Sequence, residues 1–205
     1  MLTARPSRGF TLIELMIGVA LLAVLLMLAM PTFSTMLHNR KLRGVAESIQ
    51  AGLQVARAEA LKQNRTVEFM LTDDDPIAGG VGAFTATTTG PNWAVRVDTG
   101  AGFSFVEGRA APEGSNQATD ATLNVQIAAT YPAGASTIRF DGLGRAPNLG
   151  AANALFDVTN PTGGACKTTA GSEPMRCLRV VVTPGGRVRM CDPSVPAAVG
   201  DTRSC

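Results

Sequence analysis

The alternation of apolar and polar positions divides the chain into three stretches. From Phe10 to Met30 it reads FTLIELMIGVALLAVLLMLAM, 21 residues carrying a single charge, Glu14. A helix of that length spans about 32 Å, the hydrocarbon thickness of a bilayer. From Leu37 to Asn64 the period is helical and one-sided. Leu42, Val45, Ala46, Ile49, Leu53, Ala56 and Ala60 recur at three- and four-residue steps, while Arg43, Glu47, Gln50, Gln54 and Arg57 take the other side. Asn64 reads as the stop signal. From Arg65 onward the period falls to two. Val67, Phe69 and Leu71 alternate with Thr66, Glu68 and Met70; Trp93, Val95 and Val97 behave likewise, as do Leu123, Val125 and Ile127. Further strands are predicted at 136–140, 155–158, 178–182 and 187–190, with Gly, Pro, Asn and Asp clusters between them. The pattern predicts an α+β chain, a long N-terminal helix packed on an antiparallel, twisted sheet.

Charge gives the apolar run a direction. Ahead of it lies MLTARPSRG, basic through Arg5 and Arg8 and without an acid. That asymmetry places the first nine residues on the cytoplasmic side and the remainder across the membrane. A cleaved secretory signal would need an uninterrupted apolar region and a small-x-small exit; Glu14 interrupts the one, and Leu28-Ala29-Met30-Pro31 fits the other poorly. A plain anchor explains length and orientation but not Glu14. An ionised carboxylate in hydrocarbon costs at least ~2.5 kcal/mol, so it calls for a partner.

That partner is supplied by a resemblance. Gly9-Phe10-Thr11-Leu12-Ile13-Glu14 resembles the processing site of type IV prepilins and type II secretion pseudopilins. The resemblance implies that a membrane prepilin peptidase cuts between Gly9 and Phe10 and methylates the new amino terminus of Phe10. It also implies that Glu14 neutralises the amino terminus of a neighbouring subunit during assembly, and that Pro31 kinks or locally melts the helix. Three later segments, Ala56 to Asn64, Asn92-Trp93-Ala94-Val95 and Ile138 to Arg145, together with Gly186-Arg187-Val188-Arg189, are similar to the GspH/FimT family of minor pilins and pseudopilins. The implied fold is the type IV pilin-like one: 1–9 leader peptide, 10–30 transmembrane and fibre-core helix, 31–65 amphipathic helix, 66–205 β-rich periplasmic head. The implied setting is the inner membrane, crossed once, with the head extracellular in an assembled fibre. Implied partners are other pilin subunits, the peptidase and the inner-membrane assembly platform.

Composition narrows the chemistry. With 205 residues and 45% hydrophobic, the chain can bury a real core, and 22 Gly with 12 Pro point to many turns. The single histidine, His38, excludes any mechanism that needs two imidazoles, and it reads as a surface position beside the anchor. Asp73-Asp74-Asp75 lacks the alternating ligands and later Glu of a calcium loop and reads as a solvated turn. Gly79-Gly80-Val81-Gly82 precedes no helical pattern and is no phosphate cradle. A non-enzymatic role without cofactor or metal is expected.

All four cysteines, Cys166, Cys177, Cys191 and Cys205, fall in the last forty residues, on the oxidising side of the membrane. Spacing alone does not choose among three pairings. Cys166–Cys177 with Cys191–Cys205 makes two local loops that pin the tail; Cys177–Cys191 with Cys166–Cys205 is the rival. A zinc site is disfavoured because no CxxC pair exists.

The net charge of +2 conceals a split. Residues 66–165 carry four basic and ten acidic side chains, whereas 166–205 carry six basic and three acidic. Thr183-Pro184-Gly185-Gly186 signals a turn, and alternation puts Arg187 and Arg189 on one face. With a three-residue loop Arg179 sits opposite Arg189, and three guanidinium groups share a patch. One expectation is a solvated sheet edge balanced by Asp192 and Asp201. The other, implied by the family's GRxR element, is that Arg187 and Arg189, with Arg179, clamp the phosphates of double-stranded DNA.

Overall fold

A single helix, α1 (Leu12–Gln63), carries both N-terminal patterns. The computed structural model describes residues 9–76, 84–110, 125–197 and 201–205, the side chains of 28–32 and 133 excepted. The helix continues through Pro31 without the expected melting. The proline removes one amide donor, and the hydrogen bonds of the adjoining turns hold the helical path. The chain forms two compact units, Met1–Leu37 and His38–Cys205.

In the first unit, the apolar side chains from Leu12 to Met27 are exposed all round the helix. A helix apolar on every side has no inward face of its own and needs lipid or other helices around it. Among the described residues no helix is long and apolar enough to cross a membrane. The apolar run goes on through Leu28, Ala29 and Met30, whose side chains lie outside the described set.

In the second unit the helix has one inward face. Leu42, Val45, Ala46, Ile49, Leu53, Ala56 and Ala60 are all buried. Gly52 sets the closest approach to the sheet: a Cβ there would lie 2.9 Å from ring atoms of both Phe69 and Trp93. The helix stops at Asn64, which adopts φ 50°, and the Arg65 amide donates back to the Ala60 carbonyl at 3.3 Å. This is the left-handed termination that Asn tolerates better than most residues.

Among the described residues the head contains two antiparallel sheets rather than the one expected. The first orders β2 (Ala86–Thr87), β1 (Val67–Thr72), β3 (Asn92–Asp98) and β4 (Phe103–Arg109), with β6 (Ile138–Phe140) also on β1. The second orders β5 (Gln126–Thr130), β7 (Ala154–Thr159), β8 (Leu178–Val182) and β9 (Val188–Cys191). Phe69 of the first sheet meets Trp93 at 6.0 Å and Phe156 of the second at 5.8 Å, edge to face. One core therefore joins both sheets to the helix. Strands β2 and β4 were not expected: the first is two residues long, and Ser104, Glu107 and Gly108 blur the period of the second. The strand expected around Leu123 begins later, at Gln126, and Leu123 lies outside the described residues.

Strand β1 departs from alternation, since all six of its residues are buried. Its second face is covered by a small cluster of Met70, Phe84 and Ala94, with Ala86 and Phe105 beside it. Glu68, on the same strand, is buried as well.

Candidate functional site

The processing segment sits at the mouth of α1. Gly9 and Phe10 precede the helix and are exposed, Phe10 at 91%. Thr11 is the residue before Leu12 and Glu14 lies three further on, the spacing of a capping box. The Thr11 amide donates to Glu14 Oε2 at 2.9 Å and the Thr11 hydroxyl to the same oxygen at 2.8 Å. The Glu14 amide donates back to Thr11 Oγ1 at 3.3 Å. The carboxylate thus caps its own helix with Oε2, while Oε1 accepts no hydrogen bond among the described residues.

The C-terminal hairpin corrects the expected three-arginine patch. The pairing is Arg179 opposite Cys191 and Val181 opposite Arg189, not Arg179 opposite Arg189. The reason is the length of the connection. Val182 pairs Val188, so five residues, 183–187, form the loop, closed by Thr183 N–H to the Arg187 carbonyl at 3.0 Å and Gly186 N–H to the Thr183 carbonyl at 2.8 Å. Arg187 belongs to this loop and not to β9. Arg179 forks onto Asp157 of the neighbouring strand, Nε to Oδ1 at 2.7 Å and Nη2 to Oδ2 at 3.0 Å. Arg189 donates to the main-chain oxygens of Ser204 at 2.9 Å and Cys205 at 3.0 Å. Only Arg187 of the three is exposed without an ion pair among the described residues.

Nor do Asp192 and Asp201 balance these arginines. Asp192 accepts from the Ser194 amide and hydroxyl, and Asp201 pairs Arg203. The hydrogen bonds from Arg203 hold the Asp201 carboxyl below its ordinary range. Disulfides join Cys166 to Cys177 and Cys191 to Cys205. The second brings the tail against β9, where Ser204 and Cys205 reach Arg189.

Two glycine turns dock beside this hairpin. A Cβ on Gly186 would strike the Gly144 carbonyl, and the Ala146 amide donates to the Pro184 carbonyl at 2.8 Å. Arg57 of α1 closes the same junction through Nε to the Gly144 carbonyl at 3.0 Å. The two GR dipeptides, Gly144-Arg145 and Gly186-Arg187, thus meet at one place. Arg145 is exposed there and pairs weakly with Asp141 at 3.5 Å.

Other expected features resolve as structure. His38 is half-buried rather than at the surface, and its Nδ1 accepts from the Asn160 amide at 3.2 Å. Asn160 Oδ1 is occupied by Gly163 N–H and the Thr162 hydroxyl, which turns Nδ2 toward the imidazole. Asp74 of the acidic run staples a turn, taking the Thr85 amide at 2.8 Å. Gly79 to Gly82 lie outside the described residues. Among the described residues no His, Cys, Asp or Glu group could hold a metal. A cleft lined by Val45, Ser48, Trp93, Arg109 and Ile127 has about 10 Å³ of space, the size of one water molecule.

One site was missed from the sequence. Glu68, 2% exposed, accepts from Arg96 at 2.6 Å, Arg139 at 3.0 Å and the Thr137 hydroxyl at 2.8 Å, while Arg96 lies 3.8 Å over the Phe103 ring. Burial pushes the carboxyl up, but hydrogen bonds from Thr137, Arg139 and Arg96 outweigh it and hold the group ionised below its ordinary range. The only sequence signal was a Glu at an alternating position, which reads as solvent-facing until Arg96, Arg139 and Thr137 close on it.

The sequence matches the family described as Type II transport protein GspH over residues 45–186, and the prokaryotic N-terminal methylation motif over residues 4–30. No curated protein matches the chain in sequence. The fold is similar to the Pseudomonas aeruginosa (strain PAO1) type IV minor pilin FimU in two crystal forms. The P21 form gives a TM-score of 0.49 at 16% identity, covering 78% of this chain and 95% of that one. The P65 form gives 0.47 at 14%, covering 76% and 98%.

Proposed function

The chain belongs to the Type II transport protein GspH family, and from that premise we propose that it serves as a minor pilin or pseudopilin, a structural subunit of a type IV pilus or type II secretion pseudopilus. The observation that supports this most is the placement of Gly9, Phe10 and Glu14 at the start of α1, within the matched methylation motif. Prepilin peptidase releases residues 1–9 and methylates the Phe10 amine. The apolar half of the helix anchors the subunit in the inner membrane with the head in the periplasm. The assembly platform then draws it into a fibre with other subunits. There the unused oxygen of Glu14 receives the amine of a neighbouring Phe10, so a charge costly in hydrocarbon is neutralised only in the correct register. Glu14→Ala, expressed in cells that make the fibre, leaves a folded head but strongly lowers the subunit's recovery in sheared fibres. Unchanged recovery overturns the reading.

A second reading, capture of double-stranded DNA, is favoured by Arg187, exposed next to the Arg145 turn and without an ion pair among the described residues. Its geometry differs from the clamp expected of Arg179, Arg187 and Arg189, since two of those guanidinium groups already have partners. Arg187→Ala removes the low-salt gel shift of duplex DNA while Arg179→Ala changes it little. A shift indifferent to Arg187 rejects this reading.

A further inference from the structure

The disulfide loop 166–177 carries a second set of cations, and a few hydrogen bonds bring it onto the helix at one place. Asn39 makes the attachment: its Oδ1 accepts from the Arg176 amide at 2.8 Å, and its Nδ2 donates to the Pro174 carbonyl at 3.2 Å. One residue earlier His38 is held by Asn160, and Met175 is fully buried in the core. The loop is closed by Cys166–Cys177 and by Lys167 N–H to the Met175 carbonyl at 2.7 Å. Lys167 and Arg176 are therefore fixed beside the helical turns that carry Arg40, Lys41 and Arg43.

All five cations are exposed. Arg43 pairs with Glu47 at 2.8 Å; Arg40, Lys41, Lys167 and Arg176 have no ion pair among the described residues. The acids of the same segments are Glu47, already engaged, and Glu173, whose Oε2 accepts from the Thr168 amide at 3.4 Å within its own loop. Like charges gathered by a rigid scaffold repel one another unless an anionic surface lies against them.

The chain itself indicates which surface. Between Glu14 and Arg40 no charged residue occurs, and only residues 31–37 separate Met30 from His38. Whatever the angle between the two units, that tether keeps His38 within about 12 Å of Met30 if helical and about 28 Å if fully extended. The tether thus leaves the cations around His38 able to reach a bilayer that holds the apolar run. Attraction between a basic cluster and anionic lipid acts over about one Debye length, ~10 Å.

We propose that Arg40, Lys41, Lys167 and Arg176 form a docking surface for the phosphodiester headgroups of an anionic bilayer, holding the head against the leaflet before the subunit enters a fibre. The proposal rests on the membrane-anchored reading above. The Cys166–Cys177 bridge then serves to keep two of the four cations level with the other two. Extraction into a fibre has to break this contact.

The test uses the full chain bound to vesicles of phosphatidylcholine alone or of phosphatidylcholine with phosphatidylglycerol. Flotation reports the anchor, and amide hydrogen exchange in 166–177 reports the docking surface. The expected result is flotation on both vesicles, with exchange in that segment slowed at least about fivefold only when phosphatidylglycerol is present. High salt and the Lys167→Gln, Arg176→Gln double variant both abolish the slowing and leave flotation intact. Equal exchange on the two vesicles overturns the docking surface and leaves the anchor standing. Flotation only on phosphatidylglycerol vesicles, with the slowing retained, overturns the anchor and supports the surface. No flotation on either overturns both.

Discussion

Replacing Glu68 by Gln tests whether the ionic cluster on β1 stabilises the head. The side chain is 2% exposed, and Arg96, its closest partner at 2.6 Å, is 13% exposed, so the substitution leaves a mostly covered guanidinium without its counter-charge. Breaking a buried pair from one side costs about 3–5 kcal/mol. Arg139 adds little because it is 55% exposed and screened by water. Gln still offers an oxygen to Thr137, which places the loss near the lower end, about 3 kcal/mol at neutral pH. For a chain of this size that is a fall of roughly 6–12 °C in Tm. Trp93, the sole tryptophan and 4% exposed, reports unfolding by fluorescence. The pH dependence has a defined sign. The Glu68 carboxyl is held below its ordinary range in the folded state. Its contribution is therefore fully present above the unfolded value, about 4.3, and fades as pH falls through the lower folded value. The gap between wild type and Glu68→Gln should close on acidification below about pH 4. A double variant, Glu68→Met with Arg96→Met, removes both charges and should recover most of the loss. A loss under about 1 kcal/mol, the surface-pair range, would refute the reasoning. So would a double variant no better than the single one.

Two glycines on one helix separate packing from propensity. Gly44 is exposed and a Cβ there meets nothing within 4 Å, so Gly44→Ala should stabilise by up to about 1 kcal/mol in thermal unfolding. Gly52→Val forces side-chain atoms into Phe69 and Trp93 and should destabilise by about 1–3 kcal/mol, with altered Trp93 emission. Replacing Cys191 and Cys205 by Ser opens a bridge with a sequence separation of 14. Denaturant midpoints should report about 3 kcal/mol lost, with proteolysis first cutting the released tail beyond Cys191.

The helix was legible because its signals are local: seven apolar positions at helical steps all proved buried, and Asn64 did stop it. Strands β1, β3, β7 and β8 were legible for the same reason. What sequence period could not supply was the cover on the outer face of β1, which depends on Phe84 and Phe105 arriving from distant positions. Nor could it supply Arg96, Arg139 and Thr137, which gather round Glu68 and make it the centre of an ion cluster rather than a solvent-facing residue. Register was equally out of reach. A five-residue loop instead of three moved Arg189 from Arg179 to Val181, and Asp157 on the neighbouring strand took Arg179. The arginine motif was visible in one dimension, and its partners only in three. The hydrogen bonds between Thr11 and Glu14 could have been anticipated, since Thr-x-x-Glu ahead of an apolar helix is a capping box.

The proposed role in a fibre requires that Glu14, costly in lipid, be neutralised by the amine of a neighbouring Phe10. Mass spectrometry of the amino-terminal peptide, from protein recovered in fibres of cells with an active prepilin peptidase, tests this most directly. The expected peptide begins at Phe10 and carries one added methyl group on its amine. A mature chain that still begins at Met1, or that has lost Glu14 by cleavage further along the apolar run, would contradict it.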